Sequence, residues 1–368
     1  MKWGYKIILF FVIIAILGPL LSNNRPLVLI SNAQITFPVF SEGSYTIGEN
    51  NFKIMPLIPY RAGVSDFDNA DYVNPFDTQK MKSNSLFYRH WLGTTLRGCD
   101  VLAGIISGAR YALVVGFCSA LISLIIGLLL GAGSAFSSVG WMRITFMQLL
   151  VLIPLLLFDL NLILNVESSS FLKTLLIVMS VFLFILVGRI KLMSTYEIKL
   201  NFEKIESQLT ILFSSIPRLF FVVAVMGVFH QGIITLILLL GLTGWMEIAR
   251  VVRAEIHKIQ TMDYYSAAKL SGASWMRITM NQLFPNLKPL LIAVFAFSFA
   301  GAILSEASLS FLGFGLSTDQ VTWGSLILEG KESFSAWWLI VFPGICLSSC
   351  LAALFSIARK GNNDVYSL

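Results

Sequence analysis

The sequence predicts an all-α polytopic membrane protein with about eight transmembrane helices and a long extracytoplasmic insert after the first. Composition is the first ground. Hydrophobic residues make up 56% of the 368-residue chain and charged residues 12%, about half the roughly 25% charged content of a soluble domain. Clustering is the second: the apolar residues gather into runs of about 20, the length that crosses ~30 Å of hydrocarbon. The third is the placement of the cations, which concentrate in short loops assigned to one side of the membrane. That placement accounts for the net charge of +6 without invoking nucleic acid.

The opening stretch MKWGYKIILFFVIIAILGPLL carries Lys2 and Lys6, then an apolar run to Leu21. A secretory signal peptide would be followed by an A-x-A-like cleavage site, whereas Ser22-Asn23-Asn24-Arg25 follows here. Residues 1–22 therefore read as an uncleaved transmembrane anchor with its N-terminus in the cytoplasm. From 23 to 107 the character changes. Pro26, Pro38, Pro56, Pro59 and Pro75 punctuate apolar pieces too short to span, which predicts an extracytoplasmic insert of turns and some β-structure. A membrane domain at 108–357 follows, with spans expected at 111–136, 145–164, 171–188, 209–229, 233–248, 290–304 and 338–357. A cytoplasmic tail, 358–368, closes the chain. Of the cysteines, only Cys99 falls outside a span, and none shows zinc-ligand spacing.

An even number of spans puts both termini on one side. The short loops assigned to the cytoplasm hold Arg143, Arg189, Lys191, Lys258, Lys269, Arg277 and Lys288 among others. The outer loop 305–337 holds only Lys331, beside Glu306, Asp319, Glu329 and Glu332. This asymmetry obeys the positive-inside rule.

One cytoplasmic loop, 251–288, contains DYYSAAKLSGASWMRITMNQLFPN from Asp263 to Asn286. Asp263 is a candidate N-cap for a short helix beginning at Tyr264. Ala268 and Gly272 are four apart and share a face, with Ala267 beside them. Such a face lets another surface approach the backbone closely. Gly272 suits the left-handed residue that ends a helix. A second amphipathic helix, 275–283, is expected next, with Pro285 and Pro289 interrupting it and starting the following span.

These residues resemble the "EAA" motif of ABC-importer permeases. Ser266-Ala267-Ala268, Gly272 and Pro285 match its spacing, with Ser266 where the motif has Glu. HWLGTTLRGCDVLAGIISGAR, from His90, is similar to an outer pattern of the oligopeptide/dipeptide/nickel branch. Gly93, Thr94, Gly98, Asp100, Gly108 and Arg110 match it, while Thr95 and Cys99 replace its Asp and Arg. Arg250 and Arg253 in GWMEIARVVRAEI match the stretch leading into the motif loop. SEASLSFLGFGL, with Glu306 and Gly313, then WGSLILEG and Phe342-Pro343-Gly344, match the branch further on. The order of these matches identifies the chain as a member of that importer family, in its second-permease branch. Residues 146–208 read as an inserted hairpin absent from the usual six-span plan. Its Asp159 and Asn161 fall near the outer end of a span.

The resemblance implies a type I importer permease bundle that binds no cofactor of its own. ATP and Mg would sit in partner ATPase subunits docked on Asp263, Ser266, Ala267, Ala268, Gly272 and Pro285. The other implied partners are a second permease subunit in a heterodimer, an extracytoplasmic solute-binding protein and membrane lipid, with the chain in the bacterial inner membrane. The residues themselves agree that the chain does not hydrolyse ATP: Gly330-Lys331 is followed by Glu332 and lacks the earlier Gly of a phosphate loop. His90, His230 and His257 are scattered, and no nucleophile–base constellation marks an enzyme. Glu247 is expected to pair with Arg250 or Arg253, and Glu306, just outside its span, is a candidate for the outer mouth. A secondary transporter would show repeated halves with mid-span carboxylates, and no internal repeat is found. A membrane scaffold or sensor that kept the body and lost coupling is the other class.

Overall fold

The computed structural model describes residues 2–31, 34–40, 52–81, 85–137, 144–145, 197–198, 202–227, 232–317 and 319–366. The chain divides into two units, Met1–Gly131 with Leu212–Leu368, and Ala132–Ile211.

The first helix, α1 (Lys2–Leu21), packs along the last, α10 (Trp338–Tyr366). A Cβ on Gly4 would press on the Ala353 carbonyl of α10, so glycine permits the close approach. Phe11 is buried edge-on against Trp323. The opposite face of α1 leaves Leu9, Phe10, Ile13, Ile16 and Leu17 uncovered, which is where lipid belongs.

The insert forms a three-stranded antiparallel sheet, ordered β2-β1-β3, from β1 (Val28–Ser31), β2 (Gln34–Thr36) and β3 (Phe52–Ile54). Leu29 lies opposite Thr36 on one side and Lys53 on the other. Short 3-10 turns at Phe67–Asn69 and Leu86–Tyr88 follow. The insert ends sooner than its expected limit at 107, because α2 (Val101–Ser137) starts at Val101. The cause is a cap: the Ala103 N–H donates to Asp100 Oδ2 at 2.7 Å, which starts a helix there.

Four further differences concern the spans. The expected continuous span 209–229 is broken into α3 (Phe202–Ser214) and α4 (Arg218–Met226). Pro217 precedes α4 as its cap residue, and proline disfavours helical geometry in the residue before it. The span expected at 233–248 runs on as α5 (Ile233–Gln260). The expected separate helix 275–283 is instead continuous with the next span. One turn, α7 (Trp275–Ile278), passes through a π-turn at Thr279–Leu283 into α8 (Phe284–Phe311). The Phe284 N–H reaches back to the Thr279 carbonyl, and Pro285 sits in the first turn of α8, where its missing N–H is absorbed rather than breaking the helix. Finally, the outer loop expected at 305–337 is largely helical, through the end of α8 and α9 (Trp323–Glu332), and the expected tail continues α10 to Tyr366.

Among the described residues, five helices are long and apolar enough to cross a membrane, or six if the α3–α4 pair counts as one span. The spans expected at 145–164 and 171–188, with Asp159 and Asn161, lie outside the described residues, apart from Thr145, which is in a strand. The core of the larger unit is made where Ala109, Ala112, Leu113 and Ala120 of α2 meet Phe299, Ala300 and Ile303 of α8 and Cys350 and Leu354 of α10. A second cluster joins Val222 and Met226 of α4 to Leu236 and Leu240 of α5 and Leu309 of α8. Small residues set these spacings: a Cβ on Gly116 would run into Phe299 and Ile303, and one on Gly127 into Ile248. Polar bonds add to them, as Ser123 Oγ donates to the Gly241 carbonyl (2.8 Å) and Arg218 to the Leu240 carbonyl (2.6 Å). Interhelical packing of this kind holds membrane bundles together where the hydrophobic effect is weak.

In the smaller unit, Ile144–Thr145 pairs antiparallel with Glu197–Ile198.

Candidate functional site

The segment between α5 and α8 is built from the end of α5 outward. α5 ends at Gln260, Met262 takes an extended conformation, and α6 (Asp263–Leu270) begins at Asp263. Met262 is thus the N-cap and makes no side-chain cap bond. Asp263 stands one residue inside the expected cap position, because Met262 rather than Asp263 leaves helical geometry. Its carboxylate is still in the first turn, where negative charge is favoured by the helix dipole.

The end of α6 is a Schellman motif. The Gly272 N–H donates to the Lys269 carbonyl at 3.2 Å and the Ala273 N–H to the Ala268 carbonyl at 3.2 Å. Gly272 has φ +75°, the left-handed geometry that this motif demands. A Cβ there would meet nothing within 4 Å. Tyr265 is buried and anchors the helix, and Asn286 Nδ2 donates to the Tyr264 hydroxyl at 3.2 Å. Ser266, Ala267, Lys269, Gly272 and Pro285 are exposed and Ala268 half-covered, while Leu270 is 89% exposed. Apart from its Tyr265 side, α6 is a bare surface on which small Ser266 and Ala267 stand between the larger exposed Asp263, Tyr264, Lys269 and Leu270.

The second constellation lies at the opposite end of the motif order. His90 is fully buried. Its Nδ1 is 2.9 Å from Asp100 Oδ1 and its Nε2 3.4 Å from Asp66 Oδ2. The Tyr60 ring stacks on the imidazole at 4.1 Å, and the Tyr60 hydroxyl donates to the Tyr88 carbonyl. Burial raises the Tyr60 pKa above its ordinary value, with Asp66 and Asp100 adding to the effect. Thr94 Oγ1 donates to the Asn69 carbonyl (2.8 Å) and accepts from the Val73 N–H (3.0 Å). Trp338 Nε1 donates to the Thr94 carbonyl at 3.1 Å, tying this cap to α10. The Leu96 N–H donates to Glu329 Oε1 at 2.8 Å, tying it to α9. Burial raises the Glu329 pKa, and that hydrogen bond opposes the rise. The motif positions Gly93, Thr94, Gly98 and Asp100 are therefore brought together in a closed polar clasp. Asp66, Asn69, Tyr60 and Trp338 complete it. Nothing in their sequence context marks them, since Tyr60, Asp66 and Asn69 come from the insert, well before the motif, and Trp338 from the start of α10.

Of the remaining motif positions, Gly108 lies under Trp323, whose indole N–H donates to the Ile105 carbonyl at 3.0 Å. Arg110 is exposed. Arg250 is exposed and Arg253 half-buried, and among the described residues Glu247 forms no ion pair with either. Glu247 instead lies where its charge acts on Arg218 of α4. Glu306 is also corrected: it is inside α8, fully buried, and not at an outer mouth. The flanking Ser305 and Ser308 hydroxyls are satisfied within the helix, on the Gly301 and Leu304 carbonyls, both at 2.7 Å, so these polar residues need no helix end. Ser310 Oγ donates to Glu306 Oε1 at 2.8 Å. Gly313, with φ +82°, turns the chain just after α8. Among the described residues, no group of His, Cys, Asp and Glu could hold a metal ion.

A bundle of apolar helices, with a closed polar clasp and a bare short helix set between two candidate spans, defines an integral membrane protein. Residues 203–360 match the family model described as "Binding-protein-dependent transport system inner membrane component". The chain is similar to that family over this segment. It is 28% identical over 297 residues to an oligopeptide transport system permease protein of Mycobacterium tuberculosis, covering 80% of this chain and 78% of the relative. It is 26% identical over 277 residues to a dipeptide transport system permease protein of Bacillus subtilis, covering 75% and 67%. A putative peptide transport system permease protein of Brucella suis is 43% identical over 119 residues, 32% of this chain. The match spans 40% of that relative's length.

Proposed function

We propose that this chain is a membrane-spanning permease subunit of an ATP-driven, binding-protein-dependent importer of oligopeptides or dipeptides. The observation that carries the reading is the uncovered α6. It is a helix with both ends defined, a small-residue face and an exposed leucine, set between spans α5 and α8. The relatives named as oligopeptide and dipeptide permeases support the substrate class. In this reading the chain is not itself an enzyme and holds no cofactor. ATP and Mg belong to two ATPase subunits that seat α6 through Asp263, Ser266, Ala267, Ala268 and Gly272, with Pro285 shaping the return to the membrane. A second permease subunit completes the pathway, and an extracytoplasmic solute-binding protein delivers the substrate. The cationic cytoplasmic loops support a multi-pass topology with both termini in the cytoplasm.

Mechanically, closure of the ATPase pair on ATP pulls α6, and α6 moves α5 and α8, to which it is directly joined. The bundle then alternates between inward- and outward-open states, biased by a ligand bound at a distant site. The test is extraction of the tagged chain from its native membrane in mild detergent, with companions identified by mass spectrometry. Recovery of an ATPase pair and a second permease is expected. Recovery of the chain alone, under conditions that keep a control importer intact, overturns the reading in favour of a scaffold or sensor.

A further inference from the structure

A cavity of about 380 Å³ lies where the outer ends of α1 and α2 meet the insert. Three guanidinium-bearing side chains line it, Arg25, Arg61 and Arg110, against one carboxylate, Asp319. Arg61 and Arg110 are both exposed. Among the described residues, neither side chain makes a hydrogen bond or an ion pair. The cavity is therefore formally cationic, and among the described residues two of its charges are uncommitted.

Its depth narrows what can answer them. Gly18 of α1 and Ile106 of α2 face each other, since a Cβ on Gly18 would lie 3.4 Å from Ile106 Cγ2. Arg110 is one turn further along α2, about 6 Å deeper into the bilayer at ~1.5 Å per residue. The apolar span of α1 ends only at Leu21. Arg110 thus starts inside the apolar end of α1, where an arginine is costly unless its stem lies along apolar surface and its head finds a polar partner. Immediately preceding the cavity-lining Gly18 and Pro19, Ile13, Ile16 and Leu17 of α1 are uncovered. An acyl chain laid along that face would end with its headgroup at the cavity.

We propose that this cavity binds the headgroup of an anionic membrane phospholipid, its phosphodiester held by Arg61 and Arg110 and its tails along the exposed face of α1. The net positive lining discriminates in favour of a lipid with net negative charge over a zwitterionic one. Tyr111, next to Arg110 on α2, lines the same cavity wall.

The test uses the full complex in nanodiscs of phosphatidylcholine doped with phosphatidylglycerol, with retained lipid counted by native mass spectrometry. Retention of phosphatidylglycerol over phosphatidylcholine is expected. The double variant Arg61→Gln with Arg110→Gln should lower it roughly thirtyfold, as expected for two basic side chains near an anionic surface. Both residues are exposed, so the variant should remain monodisperse, and Arg110→Lys should recover part of the retention. Equal retention in wild type and double variant overturns the proposal, as does equal retention of the two lipids. Displacement of the lipid by a dipeptide, whose carboxylate offers similar charge, assigns the cavity to substrate instead and also overturns it.

Discussion

Gly98 in the outer clasp and Gly272 at the end of α6 hold nearly the same backbone conformation, φ +77° and +75°. Their surroundings are opposite. A Cβ on Gly98 would fall on the Asp66 carbonyl, a backbone atom that cannot swing away. A Cβ on Gly272 would meet nothing. The same contrast holds for the polar groups around them. In the clasp, Thr94, His90, Asp100 and Trp338 satisfy one another inside the chain. On α6, Ser266, Ala267 and Leu270 are left bare. One region has spent its specificity on folding itself; the other presents a finished local shape to the outside.

That comparison can be broken, and the largest effect is expected at Gly98. Gly98→Ala adds a clash to a left-handed strain, and should destabilise the purified protein by roughly 3–5 kcal/mol. Thermal unfolding in detergent checks it, and an unshifted transition would show that the clasp is loose. His90→Ala comes next. It removes the group lying between two buried carboxylates and should cost roughly 2–4 kcal/mol, read by the same unfolding experiment; a change below that range would mean that water replaces the imidazole easily. Gly272→Leu should cost the least stability, about 1–2 kcal/mol of local backbone strain, because the space around it is open. Its effect should appear elsewhere, as a loss of uptake of at least about tenfold with the melting profile nearly retained. Uptake at the wild-type rate would remove the reason to regard α6 as a partner surface.

The α6 segment was legible because its signals are local. Two alanines, a glycine four residues on and a polar sequence between apolar runs are all read within one window. The clasp was legible only in half. Its glycines and Asp100 stand in one motif, but Asp66, Asn69, Tyr60, Trp338 and Glu329 reach it from distant parts of the chain, and no spacing announces them. The errors have the same origin. Asp263 misses the cap position by one residue because backbone dihedrals, not side-chain preference, decided where α6 starts. Glu306 was placed at a mouth because a carboxylate after an apolar run reads as a boundary, whereas neighbouring serine hydroxyls that bond within the helix allow it to continue.

What this sequence determined by itself is membrane residence, the main helical runs, the family it resembles and the one short helix set aside between spans. Hydropathy, charge placement and single-window motifs act over a few turns, so they survive without a fold. What only the tertiary structure decided is which helix ends are sealed and which are open. It also decided that the span before α5 breaks at Pro217, that Pro285 enters the first turn of α8 after a π-turn instead of ending a helix, and that Arg25, Arg61 and Arg110 share a cavity. Those outcomes depend on which atoms from remote segments arrive at the same place, and on whether a buried polar group finds its partner there.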